Sequence, residues 1–403
     1  MAIADVKEYT HLTAEEVEQL GAELDALRAE IEESRNSKDA DYIYKMIRLQ
    51  RGLATAARIT LGVSAYHRRT RVPGAVVGGA MLGVAKILEN MEIGHNVMHG
   101  QWDWMNDPEV HSSNWEWDTA QPAEQWKHSH NYVHHQFTNV LGYDNDIGYG
   151  ILRMAREQKW HPVNLGQPLY NAALATLFQW GVALHDLDLE AIRKGEKDPK
   201  VMKKQLKQIW QKGRRQAVKD YVVYPALSGP HFMTTVYANA AANVTRNLWS
   251  YVIIFCGHFP DGAMHFTEEQ IEDETRPEWY LRQMLGSANF EGSEMLHVLS
   301  GNLGYQVEHH LFPDLPSNRY GEISVRVRQL CEKYKLPYTT GPLHRQYGQA
   351  LRTIIKLSLP NRFTSGDRED VMEGQMEVAR GRKSAEQLGS RRPETGKYAA
   401  AAS

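Results

Sequence analysis

Residues 130–135 read HNYVHH, three histidines in six positions of a 403-residue chain that holds 18. An isolated histidine is ordinarily a surface or satisfied core residue. Three together ask for another cause, and the nearest is metal ligation, because neutral imidazole is a ready ligand and helical positions four apart share a face. His130 and His134 have that spacing, with His135 on the next face around. The geometry recurs: EIGHNVMHG places His95 and His99 four apart, and GYQVEHHLFP places Gln306 four before His310, with His309 beside it. A single zinc site needs about four ligands, whereas these clusters supply seven histidines before the outlier His258 is counted. Two metal ions are the economical reading, and the fold must close three distant segments around them. Imidazole suits iron, zinc, copper and nickel alike, so donor type leaves the metal open.

The formal net charge of −3 gives no argument for nucleic acid as a partner. Two cysteines, Cys256 and Cys331, are too few for an iron–sulfur cluster or a disulfide framework and fit a reducing compartment. No secretory pattern opens the chain, so the N-terminus is expected in the cytoplasm. Mean hydropathy is −0.53, a soluble average that hides segregation. Residues 160–185 hold no Asp, Glu, Lys or Arg, and residues 221–260 hold only Arg246. A bilayer crossing takes about 20 mostly apolar residues, so 221–260 is expected to cross twice as a hairpin. Asn164, Gln167 and Asn171 make 160–185 an interfacial or re-entrant stretch. Weaker stretches at 52–67 and 73–88 carry Arg58 and Lys86. A shared site wants two crossings between 52 and 93, in conflict with Arg68, Arg69 and Arg71, which the positive-inside tendency would keep in the cytoplasm with the basic run 193–215. The competing reading is a soluble helical protein with weakly apolar core helices.

Residues 12–60 alternate charged and apolar positions at helical spacing, opening with Thr13 and Glu16 placed as a capping box. Few segments alternate with period two, so the fold class is all-α. The expected organisation is an amphipathic N-terminal segment over 1–42, the main domain over 43–363 and a disordered polar tail over 364–403. Trp102, Trp104, Trp115 and Trp117 are expected at a membrane interface, a packed aromatic core being the alternative. Glu92 with His95, and Glu294 with His297, both spell Glu-x-x-His, the motif of soluble carboxylate di-iron bundles. That rival leaves His130, His134, His135, His309 and His310 without work.

With HNVMH, HNYVHH and QVEHH in this order, the chain resembles the membrane-bound fatty acid desaturases, whose signature is three histidine boxes, the last often beginning with Gln. The likeness extends through NMEIGHNVMHGQWDWMNDP, WKHSHNYVHH, NLWSYVIIFCGHFPDG and GNLGYQVEHHLFPDLPSNRY to acyl-CoA desaturases of the actinobacterial, stearoyl-CoA 9-desaturase kind, over about residues 43–345. The resemblance implies a helical membrane protein with a cytoplasmic, histidine-rich di-iron cap in the cell inner membrane. It implies His95, His99, His130, His134, His135, His309 and His310 as ligands and His258 as an extra one. Gln306 stands where many relatives carry histidine, and His128 and His297 lie near the boxes as ligands or as residues that orient them.

The implied reaction uses dioxygen and two electrons to remove two hydrogens from a long-chain acyl-CoA, with a cis double bond expected at position nine of a stearoyl or palmitoyl chain. No side-chain acid, base or nucleophile attacks an alkyl C–H bond, so no catalytic residue is named beyond the metal ligands. The chain has no G-x-G-x-x-G fingerprint and no His-Pro-Gly-Gly haem motif. Electrons are therefore expected from NADPH through a separate flavin and iron–sulfur reductase. Hydroxylation at the same kind of centre and a non-catalytic metal-binding helical protein are the alternatives.

Overall fold

The computed structural model describes residues 6, 8–187, 192, 195 and 197–363. The tail expected over 364–403 lies outside them, as do Arg193, Lys194 and Glu196 of the basic run. The protein is mostly helical. In chain order the helices used below are α1 (Ala14–Glu33), α2 (Ser37–Ala65), α3 (Arg71–Leu88), α4 (Ala123–Trp126), α5 (Gln167–Thr176), α6 (Phe178–His185) and α7 (Pro199–Val218). They continue as α8 (Phe232–His258), α9 (Arg276–Gly286), α10 (Glu294–Leu299), α11 (Gln306–Leu311), α12 (Tyr320–Lys333) and α13 (Leu343–Leu357). Two three-residue strands, β1 (Asn289–Glu291) and β2 (Thr340–Pro342), pair in parallel, Phe290 opposite Gly341.

The expected capping box is formed: Glu16 N–H donates to the Thr13 hydroxyl and Thr13 N–H to the Glu16 carboxylate. Leu20, Leu24, Leu27 and Ile31, spaced at three and four, bury one face of α1 in a cluster with Leu281 of α9 and Ile323 and Val327 of α12. Gly21 is needed at that crossing, because a Cβ there would lie 2.6 Å from the Pro277 ring.

The long helices α2, α3 and α8 pack as a bundle with the end of α7. Small residues set the spacing: a Cβ on Gly79 would be 3.5 Å from Ala238, one on Gly83 3.7 Å from Thr245, and one on Gly78 only 2.8 Å from Leu61. The α2–α3 hairpin turns at Tyr66–Thr70, which puts Arg68, Arg69 and Arg71 at the end of α3 away from His95. The hairpin expected within 221–260 is displaced. Phe232–His258 is one 27-residue helix. The limb before it runs from α7 through Lys219–Val223 and Tyr224–Ala226, so the turn falls at Leu227–His231. Hydropathy missed that limb because its lysines and arginines mask the helix. Among the described residues one helical run, Arg71–Met98, is long and apolar enough to cross a membrane.

The charges that weakened 52–67 and 73–88 as spans turn inward and pair. Asp220 receives Arg58 Nη2 at 2.9 Å and Lys86 Nζ at 2.9 Å, its backbone carbonyl accepts the Asn239 amide, and Asn243 Nδ2 donates to its carboxylate at 3.2 Å. All four limbs of the bundle meet at one buried carboxylate. The exterior is apolar, with Ile59, Val63, Val72, Val76, Val77 and Tyr237 exposed.

Residues 160–185 form α5 and α6, broken at Leu177. Leu169, Leu177 and Leu184 are exposed on them, while Leu174 and Phe178 pack against Tyr251 and Phe255 of α8. Two of the tryptophans expected at an interface are packed instead: Trp102 is fully buried beside Ile43, Ile93 and Val97, and Trp117 is buried 5.2 Å from Trp126, while Trp104 and Trp115 are half-buried. Their spacing in a polar loop said nothing of the hydrophobic neighbours that cover them.

Candidate metal centre

Two histidine clusters sit where the backbone leaves α-helical geometry. The chain turns with i→i+5 hydrogen bonds over Glu89–His95, in continuation of α3, and over Lys127–His134, in continuation of α4. Such wide turns are rare and gather at functional sites. Here the consequence is direct. His135 N–H bonds the His130 carbonyl, so positions four and five apart both turn to the side of His130. The α-helical expectation had sent His135 to the next face; the wider turn brings its ring to 4.7 Å from His99, 4.8 Å from His309 and 4.4 Å from His310. His309 and His310 come from α11, and His258 from the last residue of α8.

Ring nitrogens of His95, His99, His130 and His309 lie within 4.8 Å of one another, and so do those of His134, His258 and His310. His130 also forms a third group with His134 and Asp146. The two histidine groups adjoin, since His130 and His134 stack at 4.9 Å. Every histidine named from the sequence as a ligand is therefore in one buried cluster. Gln306 borders it: its amide nitrogen is 3.1 Å from His258 Nε2, in space that Gly257 leaves open, since a Cβ there would lie 2.9 Å from Gln306.

Five of the rings share an orientation rule that His258, with Nε2 on Gln306 and Nδ1 unpaired, reverses. Nδ1 is tethered: His95 to Asn96 Oδ1 at 2.9 Å, His134 to Asp144 at 3.0 Å, His309 to the Tyr320 hydroxyl at 3.2 Å, and His310 to Gln283 Oε1 and the Thr138 hydroxyl, each at 3.1 Å. His130 Nδ1 faces Asp146 at 3.5 Å. The opposite nitrogens of His99, His130, His134, His309 and His310, and both of His135, are buried without a hydrogen-bond partner. A buried polar atom left unpaired costs about 1–3 kcal/mol, so this many at one place is destabilising unless they bind something. Lone pairs converging from neutral imidazoles, with the other nitrogen held by an acceptor, are the donor set of a metal site. Such a site suits metal ions.

Electrostatics agree. Burial and neighbouring imidazoles push His99, His135, His309 and His310 well below the ordinary histidine range, which keeps them neutral. Burial also lowers His130. His134 goes the other way: burial opposes its charge, but Asp144 and Asp146 outweigh that and raise its pKa. Asp144, Asp146, Tyr320, Gln283 and Thr138 were not found from the sequence, because nothing in their spacing announces a residue that orients a ring from elsewhere in the chain.

Other sequence candidates fall away from the cluster. His128 stacks on Tyr132 and His297 on Tyr305. Glu92 is buried, but accepts hydrogen bonds from the Tyr42 and Ser317 hydroxyls, each at 2.8 Å, and from Asn302 at 3.0 Å. Glu294 is exposed at the start of α10. The paired Glu-x-x-His reading has no shared site among the described residues. Cys256 and Cys331 are free, buried thiols.

An internal cavity adjoins His95, His130, His134 and His258 between the Glu89–His95 turn, α6 and α8, walled by Trp117, Trp126, Tyr149, Phe178, Ile254 and Leu303. On the other side a cleft of about 470 Å³ reaches His99 and His135.

The sequence profile described as fatty acid desaturase matches residues 72–342. The chain belongs to the fatty acid desaturase family. An NADPH-dependent stearoyl-CoA 9-desaturase of Mycobacterium tuberculosis is 51% identical to this desaturase over 381 residues, which are 94% of this chain and 88% of that protein. An sn-1 linoleoyl-lipid 6-desaturase of Synechocystis is 24% identical over 279 residues, 67% of this chain and 76% of that protein. The histidine clusters thus stand in an oxidoreductase family whose chemistry suits them.

Proposed function

We propose that this desaturase holds two iron ions and introduces a cis double bond at position nine of stearoyl-CoA or palmitoyl-CoA. The observation that carries the reading is the pair of adjoining histidine groups, unpaired nitrogens turned inward, at the head of a narrow aromatic cavity. His95, His99, His130 and His309 are assigned to one ion and His134, His258 and His310 to the other, with His135 between them and Gln306 adjoining His258. Bound iron with dioxygen supplies the oxidising power that an unactivated C–H bond requires. The protein's own part is to position, to enclose and to select.

The cavity fits that role. It runs along α8 from His258 past Ser250 to Asn247. The eleven steps from Asn247 to His258 span about 16 Å of helix. An extended chain rises roughly 1.3 Å per carbon, given a C–C bond near 1.5 Å, so the nine carbons beyond position nine fit within that depth. The same product is named for the Mycobacterium tuberculosis relative.

We also read the bundle as membrane-spanning. At about 1.5 Å per residue, Ser37–Ala65, Arg71–Met98 and Phe232–His258 exceed the roughly 30 Å of a bilayer's hydrocarbon. Their outward valines, isoleucine and tyrosine face lipid, and the Asp220 pairs lie inside the bundle, as ionisable residues within membranes usually do. The centre then faces the cytoplasm from the inner membrane, on the side of the basic run. Arg68, Arg69 and Arg71 lie on the far side, a local exception to the positive-inside tendency. Electrons come from NADPH through a separate reductase.

The test is to supply purified, iron-loaded protein with stearoyl-CoA, oxygen and a reductant, and to weigh the product. A product two hydrogens lighter with the bond at carbon nine supports the proposal. A product one oxygen heavier assigns hydroxylation instead, and no acyl product sinks both.

A further inference from the structure

Desaturation consumes protons. For each double bond, two C–H bonds break and one C=C bond forms, while dioxygen is reduced to two waters. Of the four electrons that reduction takes, two come from the acyl chain and two from the reductase, and two protons must arrive from solvent. A cavity that excludes water needs a group to carry them.

Three carboxyls line the cavity: Asp144, Asp146 and Asp186. The first two are committed to imidazole nitrogens, Asp144 to His134 and Asp146 to His130. Asp186 is different. It is half-buried, just beyond the end of α6, and its carboxyl accepts from a neutral donor, the Gln121 amide, with Ser129 beside it. No cation among the described residues bonds that carboxyl. Lys197 stands beside it, but its ammonium donates to the backbone carbonyls of Asp186, at 3.3 Å, and Leu187, at 2.8 Å. The next residue back, His185, is 3.7 Å from Asp146 through Nε2, and Asp146 faces His130 with its other oxygen at 3.5 Å. Asp186 thus stands half-exposed on the wall of the cavity that His130, His134 and Asp146 also line.

We infer that Asp186 is the proton-delivering residue of this desaturase, taking protons from solvent at the edge of the cavity and passing them inward; the inference rests on the desaturase reading above. The charged and titratable groups around it are Asp146, His185, Lys197 and Tyr149. Burial, reinforced by the charge of Asp146, pushes the Asp186 carboxyl up to about 8, against the hydrogen bonds from Ser129 and Gln121 and the charge of Lys197. The acid is therefore mostly protonated near neutrality and loses its proton as pH rises through that value.

The experiment compares the full-length protein with Asp186→Asn and Asp186→Glu. In metal-free protein near neutral pH, one component of the infrared carbonyl absorption of protonated carboxylic acids is expected to disappear in Asp186→Asn and to shift in Asp186→Glu. In iron-loaded protein reduced with dithionite, single turnover of stearoyl-CoA with oxygen is expected to slow at least tenfold in Asp186→Asn, to lose its decline near pH 8, and to recover largely in Asp186→Glu. Iron content and stearoyl-CoA binding should not change. A wild-type rate and pH profile in Asp186→Asn overturns the inference, and so does an unchanged infrared band or a loss of iron. Failure of the unaltered protein to desaturate would instead count against the functional reading, and the infrared result would still stand.

Discussion

Two regions of this molecule bury polar groups, and they do so in opposite ways. Inside the bundle, Asp220 is closed off: Arg58, Lys86, Asn239 and Asn243 converge on it and satisfy its carboxylate and carbonyl. At the end of the bundle the histidines are half satisfied, one nitrogen tied to Asp144, Tyr320 or Gln283 and the other left without a partner. A buried group with all its bonds made is there to hold helices together. A buried group with one bond withheld is there to bind. The difference separates scaffold from site with no appeal to sequence motifs.

The comparison can be broken from either side. The largest effect is expected at the centre: the double variant His134→Ala, His135→Ala should fall from about two irons per chain to well under one, with desaturation reduced beyond detection, as metal analysis and product assay will show. In the bundle, Asp220→Ala leaves Arg58 without its carboxylate and Lys86 with only Asp118, at 3.5 Å, and should destabilise the protein by about 3–5 kcal/mol, read as a lowered unfolding midpoint, while iron per folded molecule stays the same. If iron falls in proportion to the chemistry rather than to folding, the two regions are not independent.

Asp144 lies between the two kinds of burial, a satisfied carboxylate whose partner is a ligand. Asp144→Asn should weaken metal affinity by roughly 10–100-fold, measured by competition with a chelator, with little change in secondary structure.

A pH series sharpens the same contrast. His99, His135, His309 and His310 are pushed below their unfolded pKa of about 6.5 by burial and by one another. Below about pH 6.5 the unfolded chain therefore takes up protons that the native cluster refuses, and stability is lost as pH falls; above it their contribution is fully present. His134, raised by its aspartates, acts with opposite sign, adding stability at low pH that is lost as pH rises through its native value. With His130 lowered as well, five against one, the metal-free protein should unfold at a lower temperature at about pH 5.5 than at about pH 7.5. The smallest effect is expected of Glu294→Ala, an exposed change worth within about 0.5 kcal/mol and no iron, which removes the carboxylate-bundle rival from the comparison.

Most of the centre was legible in the chain because metal ligation uses a narrow set of residue types at short, repeated spacings. His95 and His99 are an α-turn apart, and three boxes in order leave few alternatives. What the spacing hid was the backbone. An α-helical wheel sends His135 aside, and only the wide i→i+5 turn over Lys127–His134 returns it. The fold was legible as helical, and the box at Thr13 and Glu16 marked the start of α1. The helices of the bundle were not all legible, because Arg58, Lys86 and the basic half of α7 read as breaks in apolar stretches while their partner, Asp220, lies more than a hundred residues from two of them.

By itself the sequence determined which histidines gather at the centre and which family the chain belongs to, since ligand chemistry and hydrophobic periodicity are local properties written in consecutive positions. Only the tertiary structure decided which nitrogen of each ring is free, which carboxylates hold the rings, and which charges vanish into pairs. Those outcomes depend on partners brought together across the chain, and burial, which decides whether an unpaired polar atom is costly, exists only once the chain has folded.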